Sequence, residues 1–125
     1  MEGYRVLLVD DEEEFVSALS ERLMLRGLEA ETALDGEEAL VKMSEKKFEV
    51  VILDVMMPGL GGLEVMKKIR TSYPQTQVIL LTGHGSTREG IEGMRLGAFD
   101  YLIKPVDIEE MLVKMQEAVI ALEKG

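Results

Sequence analysis

A chain of 125 residues, 46% of them apolar, is long enough to bury a core and reads as one domain, residues 1–125, with no disulfide, thiol chemistry or Cys-ligated zinc because it has no Cys. Twenty-four acidic against 14 basic residues leave a formal net charge of -10, the wrong sign for gripping a nucleic-acid backbone, so direct nucleic-acid binding is not expected. The opening MEGYRVLLVDDEEE breaks its short apolar run with five acids, which fits neither a signal peptide nor a membrane span and points to a soluble, cytoplasmic protein.

Apolar runs of strand length then alternate with amphipathic stretches of helix length, the pattern of repeated βα units around a parallel sheet. The first strand is predicted over Tyr4 to Asp10, where RVLLVD is nearly continuously apolar, as a strand covered on both faces requires. A helix follows over about Glu12 to Arg26, opened by acids that suit the positive end of the helix dipole and closed by Gly27, suited to a left-handed terminal residue. Leu28 to Ala33 is a more polar strand and is expected at a sheet edge, ahead of a second helix over Asp35 to Glu45. Phe48 to Asp54, containing VVILD, and Gln77 to Thr82, containing VILLT, are further buried strands, with a third helix, Gly62 to Ser72, between them. Ser86 to Leu96 and Phe99 to Lys104 complete a fourth helix and a fifth strand. In the last helix Ile108, Met111, Leu112, Met115, Ala118, Val119 and Leu122 recur on one face, behind Asp107 as N-cap.

Ligands of doubly wound sheets sit beyond the carboxyl ends of the strands, and those ends carry Asp10 and Asp11, then Asp54, Thr82, and Lys104 with Pro105. Three carboxylates facing one cleft repel one another and hold on to protons unless a cation compensates; hard oxygens without His or Cys beside them favour Mg2+. A metal next to a carboxylate, an ammonium and a hydroxyl is equipment for phosphoryl transfer, and a carboxylate can itself accept the group as an acyl phosphate.

Through LLVDDE, LDVMMPGLGG, LLTGHGS and GAFDYLIKP the chain resembles, over essentially its whole length, a receiver domain, the phosphoacceptor module of two-component response regulators. The resemblance implies an α/β flavodoxin-like (βα)5 fold, one doubly wound parallel sheet of order 2-1-3-4-5 with helices on both faces. It makes Asp54 the phosphorylated residue. Asp11, Asp54 and the backbone carbonyl of Met56 would bind Mg2+, or Mn2+ in its place, with Asp10 acting mostly through water. Thr82 and Lys104 would hold phosphoryl oxygens, Tyr101 would be the aromatic switch residue answering Thr82, and Lys104–Pro105 the cis-proline junction. Met56 and His84 occupy the positions that set how fast the acyl phosphate is lost. Because Met56 cannot hydrogen-bond an attacking water, a long-lived phospho-form is expected. The implied donor is a sensor histidine kinase or phosphotransfer protein. The implied output is a changed surface on the fourth helix, fifth strand and fifth helix, read by a partner or by a second copy in a homodimer. Such a domain catalyses only its own phosphorylation and slow dephosphorylation, and is no enzyme in the turnover sense. The run from LTGHGS to GMRLGAFDYLIKPV is similar to receivers of the nitrogen-regulatory and nitrogen-fixation types, which usually precede an ATPase or DNA-binding domain; an effector domain after residue 125 of a longer regulator is left open.

Taken singly, each motif has an ordinary structural reading: Asp-Asp before a helix is usually capping, and Pro and Gly punctuate loops everywhere. The weight lies in polar groups at the ends of four different strands in one order. Two alternatives are a phosphate-independent scaffold of the same fold, disfavoured by the complete residue set, and a dehalogenase-like phosphatase. The latter expects a second Asp two residues after its nucleophile, where this chain has Met56. Gly61 stands where many receivers carry Asp, which loosens the expected start of the third helix.

Overall fold

The structure, a computed structural model, describes residues 3–57, 61–83 and 87–124, with Thr87 described only in its backbone. Of the residues singled out above, His84, Pro58, Gly59 and Ser86 lie outside the described residues.

Among the described residues strands and helices alternate: β1 (Arg5–Val9), α1 (Glu13–Met24), β2 (Glu29–Ala33), α2 (Gly36–Glu45), β3 (Val50–Asp54), α3 (Gly62–Ser72), β4 (Gln77–Thr82), α4 (Thr87–Arg95), β5 (Asp100–Ile103) and α5 (Ile108–Lys124). The strands form one parallel sheet of order β2-β1-β3-β4-β5. The polar strand EAETA stands at an edge, and VVILD is buried at every position between β1 and β4. Alternate side chains feed opposite faces, as strand geometry dictates. Leu7, Val9, Val51, Leu53, Val78 and Leu80 pack with Met43 of α2 and Val65, Met66 and Ile69 of α3. On the other face Val6, Leu8, Ile52, Ile79 and Leu81 pack with Val16, Leu19 and Leu23 of α1 and Met111 and Met115 of α5.

The strands are shorter than the apolar runs that predict them. Phe48 is fully buried yet precedes β3, and Phe99 precedes β5 although its N–H already bonds the Val78 carbonyl of β4 at 2.7 Å. Apolarity reports burial, whereas a strand boundary is set by where the ladder begins. Helix ends follow local chemistry closely. Gly27 takes φ 85° after α1, Asp35 accepts the Glu38 N–H at 2.7 Å before α2, and Asp107 accepts the Glu109 N–H at 2.9 Å at the start of α5. The start of α3 has no side-chain cap, but Gly62 is pressed onto the tip of β3: a Cβ there would lie 2.5 Å from Val55 Cα and 2.6 Å from the Asp54 carbonyl oxygen. Register then levels the sheet, with Val9 opposite Leu53, Leu53 opposite Leu80, and Thr82 opposite Ile103. The residues at or just beyond these tips therefore come together at one end.

Candidate functional site

Asp10 follows β1 directly. Its backbone is held by a bond from its N–H to the Ala33 carbonyl at 3.1 Å, and its side chain is wholly buried. Oδ1 accepts the Glu12 N–H at 2.9 Å. Oδ2, buried as well, receives no directed hydrogen bond from the described residues; its compensation is ionic, from Lys104 Nζ at 2.7 Å. Lys104, just beyond β5, reaches back over the sheet end to lie 3.5 Å from Asp54 Oδ2 and 2.6 Å from Glu12 Oε1. Asp54 closes β3; its Oδ1 accepts the Met56 N–H at 2.9 Å, which fixes the carboxylate against its own loop. Asp11 is exposed, but one of its oxygens joins one each from Asp10 and Asp54 in a group whose members all lie within 4.8 Å of one another.

The electrostatics of this corner are unbalanced. Burial raises the Asp10 carboxyl above its ordinary range; the Lys104 and Glu12 contacts pull it back without prevailing, and nearby Asp54 adds to the rise. For Lys104 burial acts downward, but Asp10 and Glu12 together with the Asp54 charge outweigh it, and the amine is held above the usual lysine range. The ammonium stays charged at any physiological pH. Among the described residues Asp10, Glu12 and Asp54 share the Lys104 ammonium, and Asp11 joins Asp10 and Asp54, so carboxylates outnumber ammonium groups four to one at this corner. A buried carboxylate oxygen with unused acceptor capacity, among hard oxygens alone, suits a hard divalent cation.

Thr82 ends β4 buried, its hydroxyl donating to the Leu102 carbonyl at 3.4 Å, a long bond that is readily given up. Tyr101 of β5 is 42% exposed and faces outward. Lys114 of α5 bonds the Tyr101 carbonyl at 3.1 Å, pairs with Asp100 at 3.1 Å, and sets its ammonium 5.6 Å from the Tyr101 ring centroid. The Lys104–Pro105 peptide is cis, and the Met56 side chain is 59% exposed beside Asp54. The structure thus gathers Asp10, Asp11, Asp54 and Lys104 into one cluster and leaves Tyr101 at its periphery. Three contributors escaped the sequence reading. Glu12 counted only as part of an acidic helix start, while Phe15, whose ring centroid lies 5.1 Å from Lys104 Nζ, and Lys114 drew no attention in the sequence at all.

Comparison with known proteins agrees with this geometry. The family model described as the response regulator receiver domain matches residues 6–116. The uncharacterized transcriptional regulatory protein YkoG of Bacillus subtilis is 40% identical over 119 residues, covering 95% of this chain and 52% of YkoG. The regulatory protein AtoC of Escherichia coli is 36% identical over 92% of this chain and 25% of its own length, so the chain spans about half, or less, of these relatives. Among solved structures, a CheY-like receiver domain protein from Methanospirillum hungatei superposes with TM-score 0.92 at 28% identity, covering 98% of both chains. NtrX from Brucella abortus gives TM-score 0.92 at 27% identity over 97% of this chain and 28% of NtrX.

Proposed function

The chain belongs to the response regulator receiver domain family, and from that premise we propose that Asp54 is its phosphoacceptor, phosphorylated by a sensor histidine kinase or a phosphotransfer protein. The observation that carries the reading is the convergence on Asp54 of the Lys104 ammonium, 3.5 Å away, with the buried, hydrogen-bond-deficient oxygen of Asp10. Asp10, Asp11, Asp54 and the Met56 carbonyl would hold Mg2+, or Mn2+, which when bound would neutralise the excess charge and that of the incoming phosphoryl oxygens. An Asp54 carboxylate oxygen attacks phosphorus in line, and the bond from phosphorus to the donor nitrogen or oxygen breaks, its electron pair leaving with the donor. The Met56 N–H bond at 2.9 Å to Oδ1 holds the nucleophile, leaving Oδ2 on the Lys104 side. Lys104 then neutralises the new phosphoryl oxygens, and Thr82 exchanges its long bond to Leu102 for one of them.

Withdrawal of Thr82 shifts the population toward a state with Tyr101 turned inward, so that phosphorylation acts through whatever it stabilises in that state alone. Ile91, Ile103 and Val113, exposed on α4, β5 and α5, support this face as the one read by a partner or by a second copy. Met56, apolar and exposed at the site's rim, offers no hydrogen bond to a hydrolytic water, which supports a slowly hydrolysed phospho-form; Met56→Asn is expected to speed phosphate loss. The test is incubation with acetyl phosphate and Mg2+. The reading predicts a burst of at most one phosphoryl group per chain followed by slow release, and sustained turnover would identify a phosphatase instead.

A further inference from the structure

Glu12 is the nearest anion to the lysine of the site. Its Oε1 lies 2.6 Å from Lys104 Nζ, against 2.7 Å for Asp10 and 3.5 Å for Asp54. It occupies the N-cap of α1 but makes no side-chain bond to that helix, which is what an acid at a cap ordinarily does. Its backbone is tied on both sides instead, the N–H to Asp10 Oδ1 at 2.9 Å and the carbonyl to the Val16 N–H at 3.1 Å, so the carboxylate is presented to the ammonium from a fixed base. The Phe15 ring adds a π face 5.1 Å from the same nitrogen. An ammonium has three N–H donors; Glu12 accepts one at 2.6 Å, and the ionic contact with Asp10 Oδ2 at 2.7 Å draws the same nitrogen further from Asp54, which lies 3.5 Å away.

We propose that Glu12 is a positioning residue that doubles as a built-in competitor of the phosphoryl group: it holds Lys104 in the unphosphorylated site and yields it when phosphoryl oxygens arrive on Asp54. This rests on the reading of Asp54 as phosphoacceptor. A carboxylate and a phosphoryl group present the same kind of oxygen to an ammonium, but Glu12 is 63% exposed, so solvent screens its hold and a more highly charged rival can displace it. Two effects of opposite sign follow from its charge. Glu12 repels an anionic donor and occupies the lysine, and it also adds to the negative field that draws in a divalent cation.

Acetyl phosphate labelling, Mg2+ titration, and lysine side-chain NMR of the metal-free protein, on the full chain and on Glu12→Gln and Glu12→Asp, separate these effects. Neutralisation is expected to lower the acetyl phosphate concentration for half-maximal labelling by about threefold and to weaken Mg2+ binding by a smaller factor, about 1.5-fold. Glu12→Asp, charged but one methylene shorter, falls between. The Lys104 ammonium resonance shifts in Glu12→Gln before any metal or donor is added. A merely structural lesion would weaken donor and metal together. Unchanged or raised half-saturation in Glu12→Gln, with labelling at Asp54 intact, overturns the competitor role alone. Absence of labelling in the wild type overturns the phosphoacceptor reading itself, while an unshifted Lys104 resonance refutes the Glu12 contact independently of either.

Discussion

The two ends of the sheet are built from similar residues and treated oppositely. At the end where the strands begin, each charged or polar side chain named here finds a partner. The Glu49 carboxylate accepts the Arg5 N–H at 2.8 Å, the Arg5 guanidinium pairs with Glu29 at 2.9 Å, Thr76 donates to the Phe48 carbonyl at 2.8 Å, and Arg70 covers the Thr76 carbonyl at 2.9 Å. Where the strands finish, three acids crowd together, one buried oxygen lacks a directed bond, and a single ammonium is shared among Asp10, Glu12 and Asp54. Polar groups at the first end are paired off; those at the second have more acceptor capacity than the described residues use, as the proposed phosphoryl and metal site requires. The difference separates structural from functional polarity without appeal to any one motif.

The strongest way to break the comparison is to remove the shared cation. Lys104→Met should slow labelling of Asp54 by about a hundredfold and, in metal-free protein, cost about 2 kcal/mol in urea unfolding because buried Asp10 loses its compensation. Gly62→Ala comes next: with only 2.5 Å to Val55 Cα, the methyl must push α3 off the β3 tip, for an expected loss of about 2 kcal/mol and slower labelling as Asp54 shifts. At the opposite end Thr76→Val should cost about 1.5 kcal/mol through its lost buried bond to Phe48, and leave the labelling rate untouched, which sharpens the division between the ends.

The smallest effect concerns Tyr4. Burial raises its phenol above the ordinary 10.0, so the folded state holds the proton longer than the unfolded chain does. That contribution to stability is complete below about pH 10 and is lost as pH rises through the folded value. Tyr4→Phe should flatten this alkaline decline in a pH series of unfolding curves and change nothing at pH 7.

What could be read from the sequence follows from how each residue acts. Asp54, Thr82 and Lys104 stand out because each ends an apolar run, where a polar side chain has no core to join. The edge position of β2 was visible in its polarity. Glu12 was not, since an acid in a helix's first turn has a sufficient local explanation and nothing in the spacing shows a lysine 92 positions later folding onto it. Lys114 was hidden likewise, since its contacts to Asp100 and Tyr101 exist only once α5 lies along β5. The close approach at Gly62 escaped because the sequence marks it as loop freedom, whereas its use is to let two backbones touch.

The central claim is that the crowded strand ends exist to receive one phosphoryl group on one carboxylate. Peptide mapping by mass spectrometry after acetyl phosphate treatment with Mg2+ tests it most directly. The account predicts a single phosphoryl adduct, confined to the peptide containing Asp54 and absent from Asp54→Ala; the same adduct at wild-type level in Asp54→Ala, or on Asp10 or Asp11 in the wild type, would contradict it.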